Sequence, residues 1–236
     1  VELLVLHGTE EQKATWLPRL VSGEWTGTML LTEPQAGSDV GAVTAKAIPA
    51  GDGTYRRTGT QIFVTWGEQD LTDNIVHAAL ARTPGSPPGT KGISLFLIPK
   101  VLVKDDGSPG ARNDLVCVSI EEKVGIHASP TCVLSFGENE GAVGYLVGEE
   151  HQGMRYMFVM MNRARLHVGM QGLAVAEKAY QLALAYAKER KQGTALGAPR
   201  GTSSPLVEPA AVSRMLMLMS SQIEAMRGVI YKTAEY

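Results

Sequence analysis

MLLTEPQAGSD, residues 29–39, is an apolar run that stops at a hydroxyl residue, an acid and a proline and then enters a Gly-Ser-Asp turn. The pattern predicts a buried strand with Thr32 and Ser38 at its lip, where Ala36 and Gly37 add little side-chain bulk. Backbone N–H groups and hydroxyls at such an edge can approach a flat ligand with a polar rim, because buried ring heteroatoms need hydrogen-bond partners. A strand that ends in an ordinary turn is the alternative, and the pattern alone favours it.

The composition is that of an ordinary globular chain. Of 236 residues, 44% are hydrophobic and 19% are charged, and the net charge is -2. This charge argues against a nucleic-acid-binding protein, because phosphate binding needs a concentrated basic surface. Cys117 and Cys132 show no zinc-type spacing and the histidines are scattered, so we expect no metal and a reduced, cytoplasmic setting. No apolar run reaches the roughly 18 residues of a membrane span.

The hydrophobic pattern divides the chain into three zones. Residues 10–21 have apolar positions at helical spacing, and Thr9 can serve as the N-cap. Residues 26–148 consist of short strand-like runs separated by Gly, Pro, Asp and Asn, which predicts an antiparallel barrel or sandwich. From Gly153 onward apolar residues recur every three or four positions, which predicts one very long helix or a pair with a short break, and a further helix after it. The first residues contain no initiator Met and resemble the end of one helix and the start of the next, so we expect an internal piece of a longer protein.

A second candidate site lies in QIFVTWG, residues 61–67. Strand alternation places Phe63 and Thr65 on one face, with Ile62 and Val64 on the other. An aromatic ring and a hydroxyl two residues apart could present a stacking surface and a hydrogen bond to a planar ligand. A half-buried strand with one polar residue is the alternative interpretation.

Two further stretches carry arginines in or after the long helical segment. Asn162 and Arg165 of NRAR lie three residues apart and share a helix face, where a solvated edge or a structural ion pair is the favoured alternative. In KERKQG, Arg190 or Lys191 could bind a diphosphate. Cations are favourable at a helix C-terminus in any case, so this second stretch carries little weight alone. The chain has no GxGxxG after a strand, no P-loop, no HExxH and no GxSxG.

Four stretches, taken in order, resemble the acyl-CoA dehydrogenase family across nearly the whole chain. They are LLTEPQAGSD, a strand ending in FVT, KVGIHASPT and MMNRARLHVGMQGLAVAEKAYQLALAYAKERKQG. The TEPxAGSD element is highly specific, and its order relative to the long helix makes coincidence implausible. GEQDLTDNIVHAALAR and GIHASPT look most like the long-chain-length branch that includes 3-methylmercaptopropionyl-CoA dehydrogenase.

The resemblance implies an α+β architecture with three parts. The end of an N-terminal helical domain would occupy residues 1–25, and a middle antiparallel β-barrel domain would occupy residues 26–150. Residues 151–236 would form the first helices of a C-terminal helical-bundle domain. This division agrees with the helix, strand and helix order read from the hydrophobic pattern.

The resemblance also implies a flavin cofactor, FAD, and a set of residues around it. The positions that match the flavin site are Met29, Leu31, Thr32, Ser38, Phe63, Thr65 and Arg190. Ser38 would also touch the acyl-CoA, and Asn162 and Arg165 match positions that meet the CoA portion or hold the helix beside the active site. Arg190 matches an arginine that reaches the flavin diphosphate of a neighbouring subunit, which implies at least a homodimer, or a homotetramer.

The chain departs from the family pattern at two of these positions. Many members have tryptophan where Phe63 stands, so the stacking surface is kept but the indole N–H donor is lost. After Arg190 the common RxxFG form is shortened to RKQG. That change removes an aromatic contact to the adenine side and weakens the case for the contact between subunits.

The implied reaction is α,β-dehydrogenation of an acyl-CoA thioester, a step of fatty acid metabolism. A glutamate would remove the α-proton while the β-hydride passes to the flavin, and electron-transfer flavoprotein or a similar acceptor would reoxidise it. No catalytic base is found in these residues, because Ala164 stands where some members carry it. We therefore expect the chain alone to bind flavin weakly and to turn over nothing.

Three rival functions remain open. An acyl-CoA oxidase would use oxygen instead of a protein acceptor, and a non-catalytic flavin- or acyl-CoA-binding scaffold would explain the missing base. A β-rich interaction domain with a helical tail would bind no cofactor. The identity of the acyl group, the acceptor and the oligomer size are not determined by this stretch.

Overall fold

The computed structural model describes residues 1–104 and 106–235. The chain forms two compact units, residues 1–160 and residues 161–236. The helices are α1 (Glu2–His7), α2 (Glu10–Ser22), α3 (Gly153–Glu189) and α4 (Ala210–Ala234). The strands are β1 (Trp25–Leu30), β2 (Lys46–Pro49), β3 (Tyr55–Thr65), β4 (Asn74–Arg82), β5 (Ile93–Pro99), β6 (Val101–Val103), β7 (Pro109–Arg112), β8 (Leu115–Ile120), β9 (Thr131–Phe136) and β10 (Ala142–Leu146).

Helix α2 begins at a capping box. The Thr9 hydroxyl accepts a 3.1 Å hydrogen bond from the Gln12 amide, and the Gln12 side chain accepts one of 3.2 Å from the Thr9 amide. Both bonds satisfy N–H groups that a helix start leaves without partners. The predicted N-cap is therefore confirmed. Trp16 of this helix is buried and its ring lies 5.7 Å from that of Trp25 in β1, which anchors the helix to the sheet.

A closed five-stranded barrel forms the centre of the first unit. Strand β4 pairs with β5, β5 with β10, β10 with β3, β3 with β2, and β2 again with β4. Strand β1 adds to β4, while β9 and then β8 extend the sheet from β3. The predicted α+β class with a central barrel is confirmed.

The barrel is mixed rather than purely antiparallel. Strands β1 and β2 both run parallel to β4, and each reaches it through intervening chain. Parallel neighbours need such a crossover, whereas antiparallel neighbours need only a tight turn. The sequence pattern marked the strands but held no information on which of them would meet across this distance.

The apolar core of the first unit is concentrated in β4 and β5. All of β5 is buried, and so is all of β4 except Arg82. Strands covered on both faces appear in sequence as continuous apolar runs rather than as alternating ones. NIVHAALAR and GISLFLIP are such runs, and His77 is the exception within them.

Helix α3 is continuous over 37 residues, so the expected long helix forms without a break. Within the second unit, Arg227 of α4 donates a 2.7 Å hydrogen bond to the Glu177 carboxylate of α3. Among the described residues, none of the helices combines the length and the apolar run that crossing a bilayer requires. The division into three domains at residues 25 and 150 stays a prediction.

Candidate functional site

The TEPQA segment forms a tight corner directly after β1. The Glu33 amide donates to the Ala36 carbonyl and the Ala36 amide donates to the Glu33 carbonyl, both at 3.0 Å. Ala36 is fully buried, and a Cβ atom added at Gly37 would lie 3.8 Å from the Thr32 methyl group. The chain therefore turns back on itself, and the segment before Ser38 lies beside Thr32.

The corner rests on the middle of β3. The Ile62 amide donates a 2.9 Å hydrogen bond to the Thr32 carbonyl. This bond places the first predicted motif against the second one, at the point where β3 becomes irregular.

Strand β3 contains a bulge at the second motif. Its register with β9 shifts between Gln61 and Val64, and Phe63 has a φ angle of 58°. A positive φ in a bulky residue is a genuine outlier, and such outliers cluster at functional sites. The bulge turns the Phe63 side chain outward, where 59% of its surface is exposed. Thr65 is also exposed, whereas Val64 between them is buried.

The KVGIHASPT loop lies beside the end of β3. The Trp66 amide donates a 2.8 Å hydrogen bond to the Pro130 carbonyl, and Thr65 pairs with Thr131 of β9. The Lys123 ammonium holds the loop closed by donating to the carbonyls of Ile126 and Ser129. Three of the sequence motifs, far apart along the chain, are therefore neighbours in the first unit.

The remaining predicted residues fall into two groups. Met29 is half-buried in β1 opposite Ala78, and Leu31 is half-buried just after the strand. Asn162, Arg165 and Arg190 belong to the second unit and are exposed within it.

The residues of that second group have local partners in their own unit. The Asn162 side-chain oxygen accepts a 3.1 Å hydrogen bond from Arg165, which is the helix-face neighbour predicted from spacing. The Arg190 amide donates a 2.8 Å bond to the Tyr186 carbonyl at the end of α3. Their assignment to coenzyme A and to a partner's flavin stays a prediction.

The Glu33 carboxylate is the most densely bonded side chain of the corner. It is 3% exposed and accepts hydrogen bonds from the Thr44 amide and hydroxyl at 2.8 and 2.9 Å. It also accepts from the Ala45 amide at 3.0 Å and from the Gln61 side chain at 3.2 Å. The sequence carries no signal for these partners, because they come from later parts of the chain.

Arg82 fixes the far end of the loop that follows the corner and contains Ser38. Its guanidinium donates to four backbone carbonyls, those of Gly41, Val43, Pro87 and Gly89. One planar fork of five N–H donors can satisfy several carbonyls at once. The segment that contains Ser38 is thus tied down at Glu33 on one side and at Arg82 on the other. The pattern analysis missed Arg82, because an arginine after a buried strand carries no distinctive sequence signal.

A layer of buried polar side chains lies within the first unit. Burial lowers the pKa of the Arg57 guanidinium to about 9, and the nearby Glu33 carboxylate opposes this shift. Arg57 stacks on the Phe136 ring at 4.1 Å. Burial also lowers the pKa of His77 to about 3, so this ring is neutral at pH 7. One of its nitrogens, Nδ1, lies 2.6 Å from the Thr28 hydroxyl.

The side chains around the corner and the bulge are mostly uncharged. Within residues 1–104 and 106–235, no group of three or more His, Cys, Asp or Glu side chains could hold a metal ion. Both cysteines are free thiols. The region offers two exposed aromatic rings, Phe63 and Trp66, and the exposed side chains of Thr65 and Ser38.

Residues 151–236 match the family model described as acyl-CoA dehydrogenase, C-terminal domain. The chain is 48% identical over 233 residues to the 3-methylmercaptopropionyl-CoA dehydrogenase of Ruegeria pomeroyi. That match covers 99% of this chain and 39% of that protein, so the chain spans well under half the length of this relative.

Two solved structures share the fold. The acyl-CoA dehydrogenase of Geobacillus kaustophilus matches with a TM-score of 0.76 and 31% identity, over 99% of this chain and 56% of that one. A structure described as the electron transferring flavoprotein of Acidaminococcus fermentans matches with a TM-score of 0.78 and 31% identity, over 99% and 55% of the two chains.

Proposed function

The chain belongs to the acyl-CoA dehydrogenase family, and on that premise we propose that it supplies the flavin-facing part of an FAD-dependent acyl-CoA dehydrogenase. Acyl-CoA dehydrogenases are FAD flavoproteins. The observation that carries the proposal is the meeting of three motifs in the first unit. Two backbone hydrogen bonds, from Ile62 to Thr32 and from Trp66 to Pro130, join them.

The residues present fit a tricyclic ring with a polar rim. Phe63 offers an exposed aromatic surface on a strained bulge, and strain at an exposed site is kept when it serves a ligand. Thr32 and Thr65 bring hydroxyls to the two sides of that bulge. Met29 and Leu31 would contribute backbone contacts, and Ser38 would lie between the flavin edge and the acyl-CoA.

When bound, FAD supplies the hydride acceptor for the β-carbon of the thioester. The residues of this chain bind and orient the reactants and exclude water, which is the usual contribution of a protein to cofactor chemistry. We assign the removal of the α-proton to none of these residues. Glu33 is a poor base because its carboxylate oxygens already accept hydrogen bonds from Thr44 and Ala45, and Ala164 cannot take a proton.

Three exposed residues of the second unit carry further proposed contacts. We propose that Asn162 and Arg165 contact or support the coenzyme A portion, and that Arg190 reaches the flavin diphosphate of a second subunit. Arg190 is exposed and directly follows α3, so its guanidinium is accessible for such a contact. This arrangement requires a homodimer or a homotetramer.

The partners follow from the same premise. We propose an acyl-CoA thioester as substrate and electron-transfer flavoprotein, or a similar acceptor, as the oxidant. The 48% identity to a 3-methylmercaptopropionyl-CoA dehydrogenase supports the substrate class, and the match to an electron transferring flavoprotein structure supports the acceptor. The cytoplasmic setting expected from the cysteines stays a prediction.

Anaerobic bleaching of the flavin by a panel of acyl-CoA thioesters tests the proposed function. The gene product that contains this chain should be yellow, and at least one thioester should bleach it in the absence of oxygen. Rapid reoxidation by air would favour an acyl-CoA oxidase, and a yellow protein that no thioester bleaches would favour a non-catalytic scaffold. A colourless protein that takes up no FAD would contradict the proposal.

A further inference from the structure

The Glu33 carboxylate joins three separate parts of the chain. Its donors are Gln35 in the corner itself, Gln61 in β3, and Thr44 and Ala45 before β2. No other contact described for the corner links all of them at one group.

Hydrogen-bond donors surround both carboxylate oxygens of Glu33. Oε2 accepts from Thr44 and Gln35, and Oε1 accepts from Ala45 and Gln61. An ionised carboxylate is the side chain that accepts at both ends. A glutamine in its place would turn an NH₂ group toward one set of donors, so half of the connections would be lost while the side-chain volume is kept.

Glu33 also interacts with the positive charge of Arg57. Arg57 is fully buried in β3, and its guanidinium interacts electrostatically with the Glu33 carboxylate. The same strand contains Arg57, the Glu33 hydrogen-bond donor Gln61 and the exposed Phe63. A displacement of Glu33 would therefore change the position of β3 as far as the bulge.

Resting on the proposed function, we propose that Glu33 is a positioning residue for the flavin site. Its carboxylate locks the corner to β3, so that Thr32 and Ser38 on one side and Phe63 and Thr65 on the other present one continuous surface. Glu33 itself is buried and touches neither flavin nor substrate. Its effect on the reaction passes through the residues that it holds.

Glu33→Gln is the direct test, with Asp114→Asn as the matched control. Asp114 is also a carboxylate that ties down a turn, since it accepts from the amides of Asn139, Glu140 and Gly141 at 2.9 to 3.0 Å. That turn joins β9 and β10 and carries none of the predicted site residues. Both variants lose hydrogen bonds to backbone amides, but only one of them loosens the corner.

The measurements are FAD affinity, the visible flavin spectrum, and KM and kcat with an acyl-CoA that bleaches the wild type. We expect Glu33→Gln to weaken FAD binding by about tenfold and to shift the flavin spectrum, because hydroxyls placed by the corner no longer meet the ring. Asp114→Asn should lower the melting temperature and leave FAD affinity and spectrum unchanged. Equal flavin effects in both variants would overturn the proposal, since they would trace the loss to stability alone.

A double variant keeps the test decisive if Glu33→Gln fails to fold. Removing one partner of a buried charge pair is costly, whereas removing both restores the balance. Glu33→Gln with Arg57→Met should therefore have a higher melting temperature than Glu33→Gln alone, with no gain in FAD affinity. Wild-type affinity in the folded double variant would overturn the inference alone, whereas a wild-type protein without flavin would overturn the proposed function as well.

Discussion

The Ile62 amide and the Thr32 carbonyl form a 2.9 Å hydrogen bond between the corner after β1 and the bulged part of β3. The two residues are separated by the whole of β2 and the first half of β3. Their contact brings the corner, which contains the small residues Ala36 and Gly37, against Phe63, an exposed residue with a φ angle in the left-handed region. If this contact serves a ligand, residues on both sides of it should affect FAD binding.

Thr65→Ala should weaken flavin binding. Thr65 is exposed at the end of β3 beside the bulge, and one lost hydrogen bond corresponds to about 1 kcal/mol, or about fivefold in FAD affinity. Thr58→Ala on the same strand, away from the bulge, is the control and should leave the affinity unchanged. Flavin content and flavin reduction potential measure the effect, and wild-type values of both in Thr65→Ala would count against its placement.

Phe63→Gly should separate stability from binding. Glycine adopts the observed φ of 58° without steric cost, and the phenyl ring is mostly exposed, so we expect the melting temperature to stay the same or to rise. FAD affinity should fall because the stacking surface is gone. Phe63→Leu, which keeps the strained backbone but has no ring, should bind FAD as weakly as the glycine variant. Thermal melts measure the stability of both variants, and quenching of flavin fluorescence measures their FAD affinity. Tight FAD binding by Phe63→Gly would contradict the role given to the phenyl ring.

His77 should make the first unit sensitive to acid. Burial depresses its pKa to about 3, against an ordinary value of 6.5. As the pH falls below about 6.5, His77 takes up a proton in the unfolded chain but stays neutral in the folded one. The free energy of unfolding is therefore unaffected by this group above pH 6.5, and it falls by about 1.4 kcal/mol per pH unit between about pH 6.5 and about pH 3.

The comparison of melting temperatures between pH 7 and pH 4 checks this dependence. His77→Gln has no proton to gain in that range, and its melting temperature should fall less steeply than that of the wild type. Parallel slopes for the two proteins would show that His77 does not titrate as burial requires.

Arg82→Lys should loosen the loop that carries Ser38. Lysine keeps the charge but lacks the planar fork that reaches four carbonyls, so we expect a loss of about 1–2 kcal/mol. Hydrogen exchange should become faster in residues 39–45 and 83–92. Arg112→Lys is the control, because Arg112 is an exposed partner of Glu68 and exposed ion pairs contribute little. Unchanged exchange in those two segments would refute the role given to Arg82.

Local sequence signals predicted the elements of this fold well. Thr9 capped α2, short apolar runs predicted β4 and β5, and three-four spacing predicted the long helical segment that forms α3, although it left a break in that segment open. Each of these features is encoded by residues that lie within a few positions of one another, so the pattern contains the information.

The contacts that build the site could not be read in the same way. The parallel pairing of β1 with β4, the outward turn of Phe63 and the partners of Glu33 and Arg82 all join residues that are distant in sequence. A bulge depends on the register of two strands, and neither strand alone specifies it. The family resemblance implied FAD as the ligand, and the structure showed the hydrogen bonds that bring the sequence motifs together.

A crystal structure of the FAD-loaded gene product would show whether the corner and the β3 bulge hold the flavin. We expect the isoalloxazine ring to lie against Phe63, with hydrogen bonds from Thr32 and Thr65 along its edge. A flavin bound elsewhere, with those three residues open to solvent, would contradict this placement.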